Sequence, residues 1–296
     1  MSDAAEQDMI IVGYIAGPRG RDAVRLGGFI AAGTGAKLIV TMVTPESSAY
    51  SGTHPLPPKE DRILRDQMEA WMDEALALVP EGVKAHGEFR SSSSEARGLM
   101  AAAEEHGAGL IVIGAKASAG LNRLTIGSVA STLLHASPVP VALAPGGFDA
   151  EGPVRRLTTI YGTRPGSAEL IGWSIERALR REVPLRLLSL VQVDRVPPAM
   201  IRSVAEQAQE FGGASLAAAS VDMQKSGRAT VEIVEGRDFE DAMSQVSWQP
   251  GDIAAMGSSR LAQHGRIFLG NRAMRIMRVL SVPVIVVPRE LEPEGE

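Results

Sequence analysis

A pattern of 36 residues occurs twice in this chain, the second copy following the first by 143 residues. The first copy opens on LIVIGAK (110–116), passes through Gly127-Ser128 and closes on SPVPVALAP (137–145). The second opens on IAAMGSS (253–259), passes through Gly270-Asn271 and closes on LSVPVIVVP (280–288). Gly114 corresponds to Gly257, Gly127 to Gly270, Pro140 to Pro283, Val141 to Val284 and Pro145 to Pro288, with no insertion between them. A repeat of domain length implies duplication, so the chain is expected to fold as two copies of one unit. Within each copy a strand ends in glycine and a helix follows, and that junction is where a ligand site is expected.

The flanking segments extend the pattern. In the first half, apolar runs at 9–15, 37–43, 109–114 and 139–144 fit buried strands, and the alternating VKAHGEF (83–89) fits an outer one. Helical patterns lie at 21–32 and 59–78, with others starting at 92 and 127; Ser92 and Glu95 read as the two ends of a capping box. In the second half, strands are expected at 157–162, 184–191, 229–234, 252–257 and 282–287, and helices near 166–181, 198–225, 238–248 and 271–280. Alternating strands and helices imply parallel pairing through right-handed crossovers, with helices on both faces of each sheet. The polar, turn-rich PGGFDAEGP (145–153) reads as a linker. Domains are therefore expected over 1–147 and 153–289, with an acidic tail over 290–296.

Composition narrows the functional classes. A length of 296 residues gives each half enough chain for its own core. The net charge of −5 offers no electrostatic basis for nucleic acid as the main partner. The chain has no cysteine, which excludes disulfides, thiolate metal sites and thiol redox chemistry. The opening MSDAAEQD lacks the basic and apolar regions of a signal peptide, and no run approaches the ~18 apolar residues of a membrane span. The expectation is a cytoplasmic protein with no membrane association.

Gly114, a loop of small residues and Gly127-Ser128 at a helix start together make a candidate anion site. Glycine lets the backbone approach phosphate oxygens, and unpaired N–H groups at the helix start point at the ligand. At these residues the chain resembles the universal stress protein family in its tandem form. That family carries G-x2-G-x9-G-[ST] between its fourth strand and fourth helix, followed by a V-P-V strand. The resemblance spans essentially the whole chain. It implies two tandem doubly wound five-stranded parallel sheets of strand order 3-2-1-4-5, an α/β fold of the adenine nucleotide alpha hydrolase-like kind. It also implies that Gly114, Lys116, Ala117, Gly127, Ser128 and Val129 would contact the ribose and phosphates of ATP. By the same resemblance the two V-P-V edges pair as a pseudo-dimer within one chain, with a homodimer as a further partner state.

The departures from the family pattern are specific. The motif's second glycine is Ala117 in the first half and Arg260 in the second, where Asn271 also replaces the Ser/Thr. The family's first strand ends in V-D-G-S, with the Asp binding adenine. Tyr14-Ile15-Ala16-Gly17 and Tyr161-Gly162-Thr163-Arg164 stand in its place. Losing that carboxylate costs about 1–3 kcal/mol of recognition. The first half is therefore expected to keep a weak ATP site and the second to keep none in the family's form, with Arg260 either filling the pocket or meeting an anion.

Other signals carry less. The five histidines show no metal-ligand spacing. Gly28 to Thr34 lacks the lysine of a phosphate loop. Arg260, Arg266, Arg272 and Arg275 form either an anion patch or a solvated face. Neither H-x-G-H nor S-G-G-x-D-S, the signatures of related nucleotide enzymes, is present. The expectation is a non-enzymatic stress-response protein with a weak ATP site in its first domain and no metal. The alternative is a nucleotide-independent scaffold.

Overall fold

The structure is a computed structural model that describes residues 9–46, 58–118, 121–149, 152–163, 166–219, 223, 226–258 and 270–288. It divides into two compact units, Met1–Leu133 with Val141–Glu151, and Leu134–Pro140 with Gly152–Glu296.

In the first unit the elements run β1 (Met9–Gly13), α1 (Pro18–Ala31), β2 (Lys37–Pro45), α2 (Pro58–Leu76), β3 (Ala85–Ser92), α3 (Glu95–Glu105), β4 (Leu110–Gly114), β5 (Lys116–Ser118), β6 (Leu121–Thr125), α4 (Ser128–Ala136) and β7 (Val141–Ala144). Five of the strands form a parallel sheet in the order β3-β2-β1-β4-β7. In the second unit they run β8 (Arg156–Tyr161), α5 (Ser167–Arg180), β9 (Leu185–Gln192), α6 (Pro198–Ala219), β10 (Ala229–Gly236), α7 (Phe239–Ser244), β11 (Asp252–Gly257), α8 (Asn271–Val279) and β12 (Val284–Val287). Their sheet is parallel in the order β10-β9-β8-β11-β12. Counting the parallel strands of each unit in sequence gives 3-2-1-4-5 twice, the order that the resemblance implied.

Central strands are apolar on both faces because helices cover both. Ile11, Val12, Ile39, Val40, Ile111 and Val112 are fully buried, as are Leu187, Leu188, Ala254 and Val284. The repeat holds at the level of single hydrogen bonds. Ser131 N–H donates to the Gly127 carbonyl at 2.8 Å, and Met274 N–H, 143 residues later, donates to that of Gly270 at 3.0 Å. Ala115 N–H to Ala144 O and Ser258 N–H to Val287 O are likewise matched, both at 2.9 Å.

Three sequence expectations are corrected. The cap of α3 is Ser94, whose hydroxyl accepts from Arg97 N–H at 3.3 Å, while Ser92 ends β3. The extended backbone of β3 runs further than the apolar pattern, so the helix starts later and Glu95 becomes its first residue. The segment between Gly114 and Gly127 contains an antiparallel hairpin, with Lys116 opposite Thr125 and Ala117 opposite Leu124. Finally, the linker starts as a packed segment. Gly147 N–H donates to the buried Asp22 carboxylate at 2.9 Å, and Phe148 meets Phe29 edge to face at 5.6 Å.

Candidate ligand-binding site

Both units place a cavity at the carboxyl ends of the central strands, where the strand order reverses and α/β sheets bind ligands. The two cavities differ in size and chemistry, and the cause lies where the first helix of each unit begins.

In the first unit Gly17 turns the chain from β1 with a φ of 139°, a conformation open to glycine, and Pro18 starts α1 four residues after Tyr14. The first turn of α1 is thereby driven against the end of β4. A Cβ on Gly114 would lie 2.0 Å from the Arg19 carbonyl oxygen, and one on Gly20 would lie 2.0 Å from that of Ile15. Gly114 leaves no room for a side chain because the backbone of Arg19 already lies against it.

What remains is a cavity of about 220 Å³ lined by Gly13, Arg19, Glu95, Gly114, Gly127, Ser128 and Val129, among others. Four of the residues singled out from the sequence, Gly114, Gly127, Ser128 and Val129, thus come together. Lys116 and Ala117 fall on β5, where part of the backbone is committed to the hairpin ladder instead of facing a ligand. Glu95, which the sequence suggested only as a helix cap, faces the same cavity. Its burial raises its pKa, and the charge of Arg19 offsets part of that rise. A carboxylate beside a candidate phosphate position opposes anion binding.

The second unit is built with more room. After Tyr161 the chain takes six residues to reach Ser167, where α5 begins behind Gly166 at a φ of 90°. A Cβ on Gly257, the counterpart of Gly114, would touch only Leu170, at 3.6 Å. The cavity measures about 550 Å³, within the range of small-molecule sites, whereas the first falls below it. Ile160, Leu170, Leu190, Phe239, Met256 and Ile276 supply apolar wall. Ser167 and Arg272 lie at the helix starts and Ser258 follows the end of β11, with the Arg272 guanidinium 5.7 Å from the Phe239 ring centre. Gly270 and Gly166, which cap α8 and α5, offer no side-chain cap, so these helix starts leave N–H groups for other partners.

Tyr161 ends β8 one residue before Gly162, which stands where the family pattern has its Asp. Its hydroxyl donates to the Ala208 carbonyl at 2.7 Å, its ring stacks on Phe211, and burial lifts its pKa to about 12. This tyrosine is a strut between β8 and α6, so it does not replace the adenine-reading carboxylate. Tyr14, its counterpart, is also buried, with a pKa raised by that burial and by Glu74. Arg260 and Arg266 lie outside the described residues. Arg275 stands over the Phe239 ring at 5.9 Å.

The other polar cluster of the second unit sits at the opposite, amino ends of the strands. Arg156 pairs with Asp252, donating from Nε at 3.0 Å, and Arg186 stacks over Trp248 at 4.9 Å while donating to Thr158. Distance from the cavity makes this cluster structural. Among the described residues no group of three His, Asp or Glu side chains is placed to hold a metal ion, and no helix is long and apolar enough to cross a membrane.

A parallel five-stranded doubly wound sheet occurring twice, each copy with a cavity at its switch point, defines a tandem α/β protein of the adenine nucleotide alpha hydrolase-like kind. The model of the universal stress protein family matches residues 8–145 and again 155–288. The chain belongs to the universal stress protein family and is a tandem member of it. It is similar to universal stress protein Rv2319c of Mycobacterium tuberculosis and to Mb2346c of Mycobacterium bovis. Each is 29% identical, over 94% of this chain and 99% of the relative. Among solved structures, a universal stress protein from Archaeoglobus fulgidus aligns with a TM-score of 0.62 at 14% identity, covering 96% of this chain and 99% of the other. A putative universal stress protein from Pseudomonas aeruginosa aligns at 0.59 and 16% identity, covering 96% and 94%. At such identities these structural likenesses speak to the fold alone.

Proposed function

We propose that the chain is a non-enzymatic stress-response protein that binds a small phosphorylated ligand, and that the second unit is its receiving site. The observation that carries this reading is the pair of cavities, about 550 Å³ in the second unit against about 220 Å³ in the first. Adenine nucleotides are the first ligands to test, because the family resemblance points to ATP. The first-unit position formed by Gly114, Gly127, Ser128 and Val129 keeps only weak phosphate contacts, opposed by Glu95. Among the described residues that line the second cavity no histidine or carboxylate stands with Ser167, Ser189 and Ser258, which favours binding over turnover.

Calorimetric titration with ATP, AMP and inorganic phosphate tests the reading when repeated on two filled-site variants. Ala273→Trp blocks the second cavity and Gly127→Trp the first. Ligand binding lost in the former and kept in the latter is the expected result. The opposite pattern returns the site to the first unit, and no binding of any of the three leaves the scaffold alternative. ATP consumed in excess of protein would refute the non-enzymatic part.

A further inference from the structure

The outer strand of the first unit's sheet is complementary to itself. We propose that β3 pairs antiparallel with β3 of a second copy of this chain, about a twofold axis at Phe89, so that the sheet continues from one protomer into the next.

The backbone sets the register. β3 pairs with β2 and, among the described residues, with no other strand. Open edges are ordinarily blunted by a bulge or a proline, and β3 has neither: its register with β2 runs unbroken from Ala85 to Ser92. Leu38 N–H donates to the Lys84 carbonyl at 2.9 Å and Glu46 N–H to that of Ser92 at 3.3 Å. Even-numbered residues of β3 thus turn their backbone groups toward β2, and in a parallel ladder the residues between them turn theirs outward. Gly87, Phe89 and Ser91 therefore present N–H and C=O to the open edge. Two antiparallel copies centred on Phe89 set Phe89 opposite Phe89 and Gly87 opposite Ser91, and such pairs exchange both of their hydrogen bonds.

The side chains agree with that register. Glu88 falls opposite Arg90 of the second copy and Arg90 opposite its Glu88, so both of these close pairs join opposite charges. Within one chain the two are already held in place. Arg90 Nη2 lies 2.6 Å from Glu88 and 2.6 Å from Glu105, and His106 lies 3.2 Å from Glu88. The other face of β3 is the one where a Cβ on Gly87 would meet Met72 of α2. Phe89 lies on that face 45% exposed, and the pairing sets the two rings side by side. β10, the outer strand of the second unit, differs: it carries Glu232 and Glu235 and no basic residue, so paired copies of it gain no opposite charges. One strand pair with its flanking side chains is a small interface, so association is expected in the micromolar range.

Sedimentation velocity of the full chain across that range reads the association. Ser91→Pro removes an outward N–H and leaves the bonds to β2 in place. It should be monomeric where the parent is dimeric and should melt close to the parent. Glu88→Arg and Arg90→Glu each set like charges opposite one another and should each weaken the dimer by about tenfold or more. Mixed in equal amounts, the two variants restore both opposite-charge pairs and should associate about tenfold more tightly than either alone. If either charge variant is unfolded by circular dichroism, Ser91→Pro carries the test by itself. A parent that stays monomeric throughout, or a dimer unchanged in Ser91→Pro, overturns the proposal. A mixture of folded charge variants that associates no better than its components overturns it as well.

Discussion

Alanine at the two matched glycines, Gly114 and Gly257, should have opposite effects although both occupy one position of the repeat. At Gly114 the new methyl would meet the Arg19 carbonyl oxygen at 2.0 Å, its carbon at 2.8 Å and its Cα at 3.1 Å. These are backbone atoms of α1, so no side chain can rotate away; the first turn of the helix must retreat by more than an ångström. Overpacking of that kind costs about 1–3 kcal/mol, with the upper end favoured by a rigid neighbour. At Gly257 the same methyl meets only the Leu170 side chain, at 3.6 Å, an ordinary contact, and the backbone there is not left-handed. Alanine then restricts the unfolded chain and stabilises by about 0.4–1 kcal/mol. At about 2–4 °C per kcal/mol for domains near this size, the two variants should melt several degrees apart, on either side of the parent. Scanning calorimetry reads both directly, and Trp71 fluorescence follows the first unit while Trp173 and Trp248 follow the second. Equal melting of the two variants would refute the claim that Gly114 is required by helix packing. If Gly114 were instead kept for a ligand, Gly114→Ala would leave the melting temperature in place and remove binding.

Glu95→Gln should stabilise the first unit at neutral pH. Burial raises the Glu95 pKa above its unfolded value of 4.5, so the parent's penalty grows as pH rises through the folded pKa and fades as pH falls towards 4.5. Urea midpoints at the two pH values should differ less between them in the variant, and an unchanged difference would count against a buried Glu95. Tyr161→Phe should cost the second unit about 0.5–1.5 kcal/mol by leaving the Ala208 carbonyl without its side-chain donor. Because the folded pKa is raised to about 12, the Tyr161 contribution holds below about 10 and is lost as pH climbs from there; ultraviolet titration should show one late tyrosinate step that the variant lacks.

Much of the fold was legible because it is repeated. The expected start at 271 for α8 is met at Asn271, and α4 runs from Ser128 to Ala136 while α8 runs from Asn271 to Val279, 143 residues on. Strands buried on both faces announce themselves as short apolar runs, and each of the ten expected strands is present with its ends shifted by no more than three residues. The hairpin of β5 and β6 was not legible, because its short strands lack a clear alternation and were read as a loop of small residues. The site was half legible. Glycine and serine spacing brought Gly114, Gly127, Ser128 and Val129 to one cavity, but spacing along the chain says nothing of what arrives from elsewhere. Glu95 enters from α3 and Arg19 from α1, and the volume left between them depends on a two-residue difference in where a helix starts.

That difference separates two properties usually taken together, keeping a motif and keeping a site. A glycine at the end of the fourth strand serves any close approach, whether by a phosphate or by a helix backbone, and the sequence records only that something comes close. In the first unit the approach is made by Arg19, so the motif persists for packing and the cavity shrinks. In the second unit α5 starts later, the crowding at Gly257 disappears and the chamber beside it stays open. The unit with the poorer motif is therefore the one with the larger cavity.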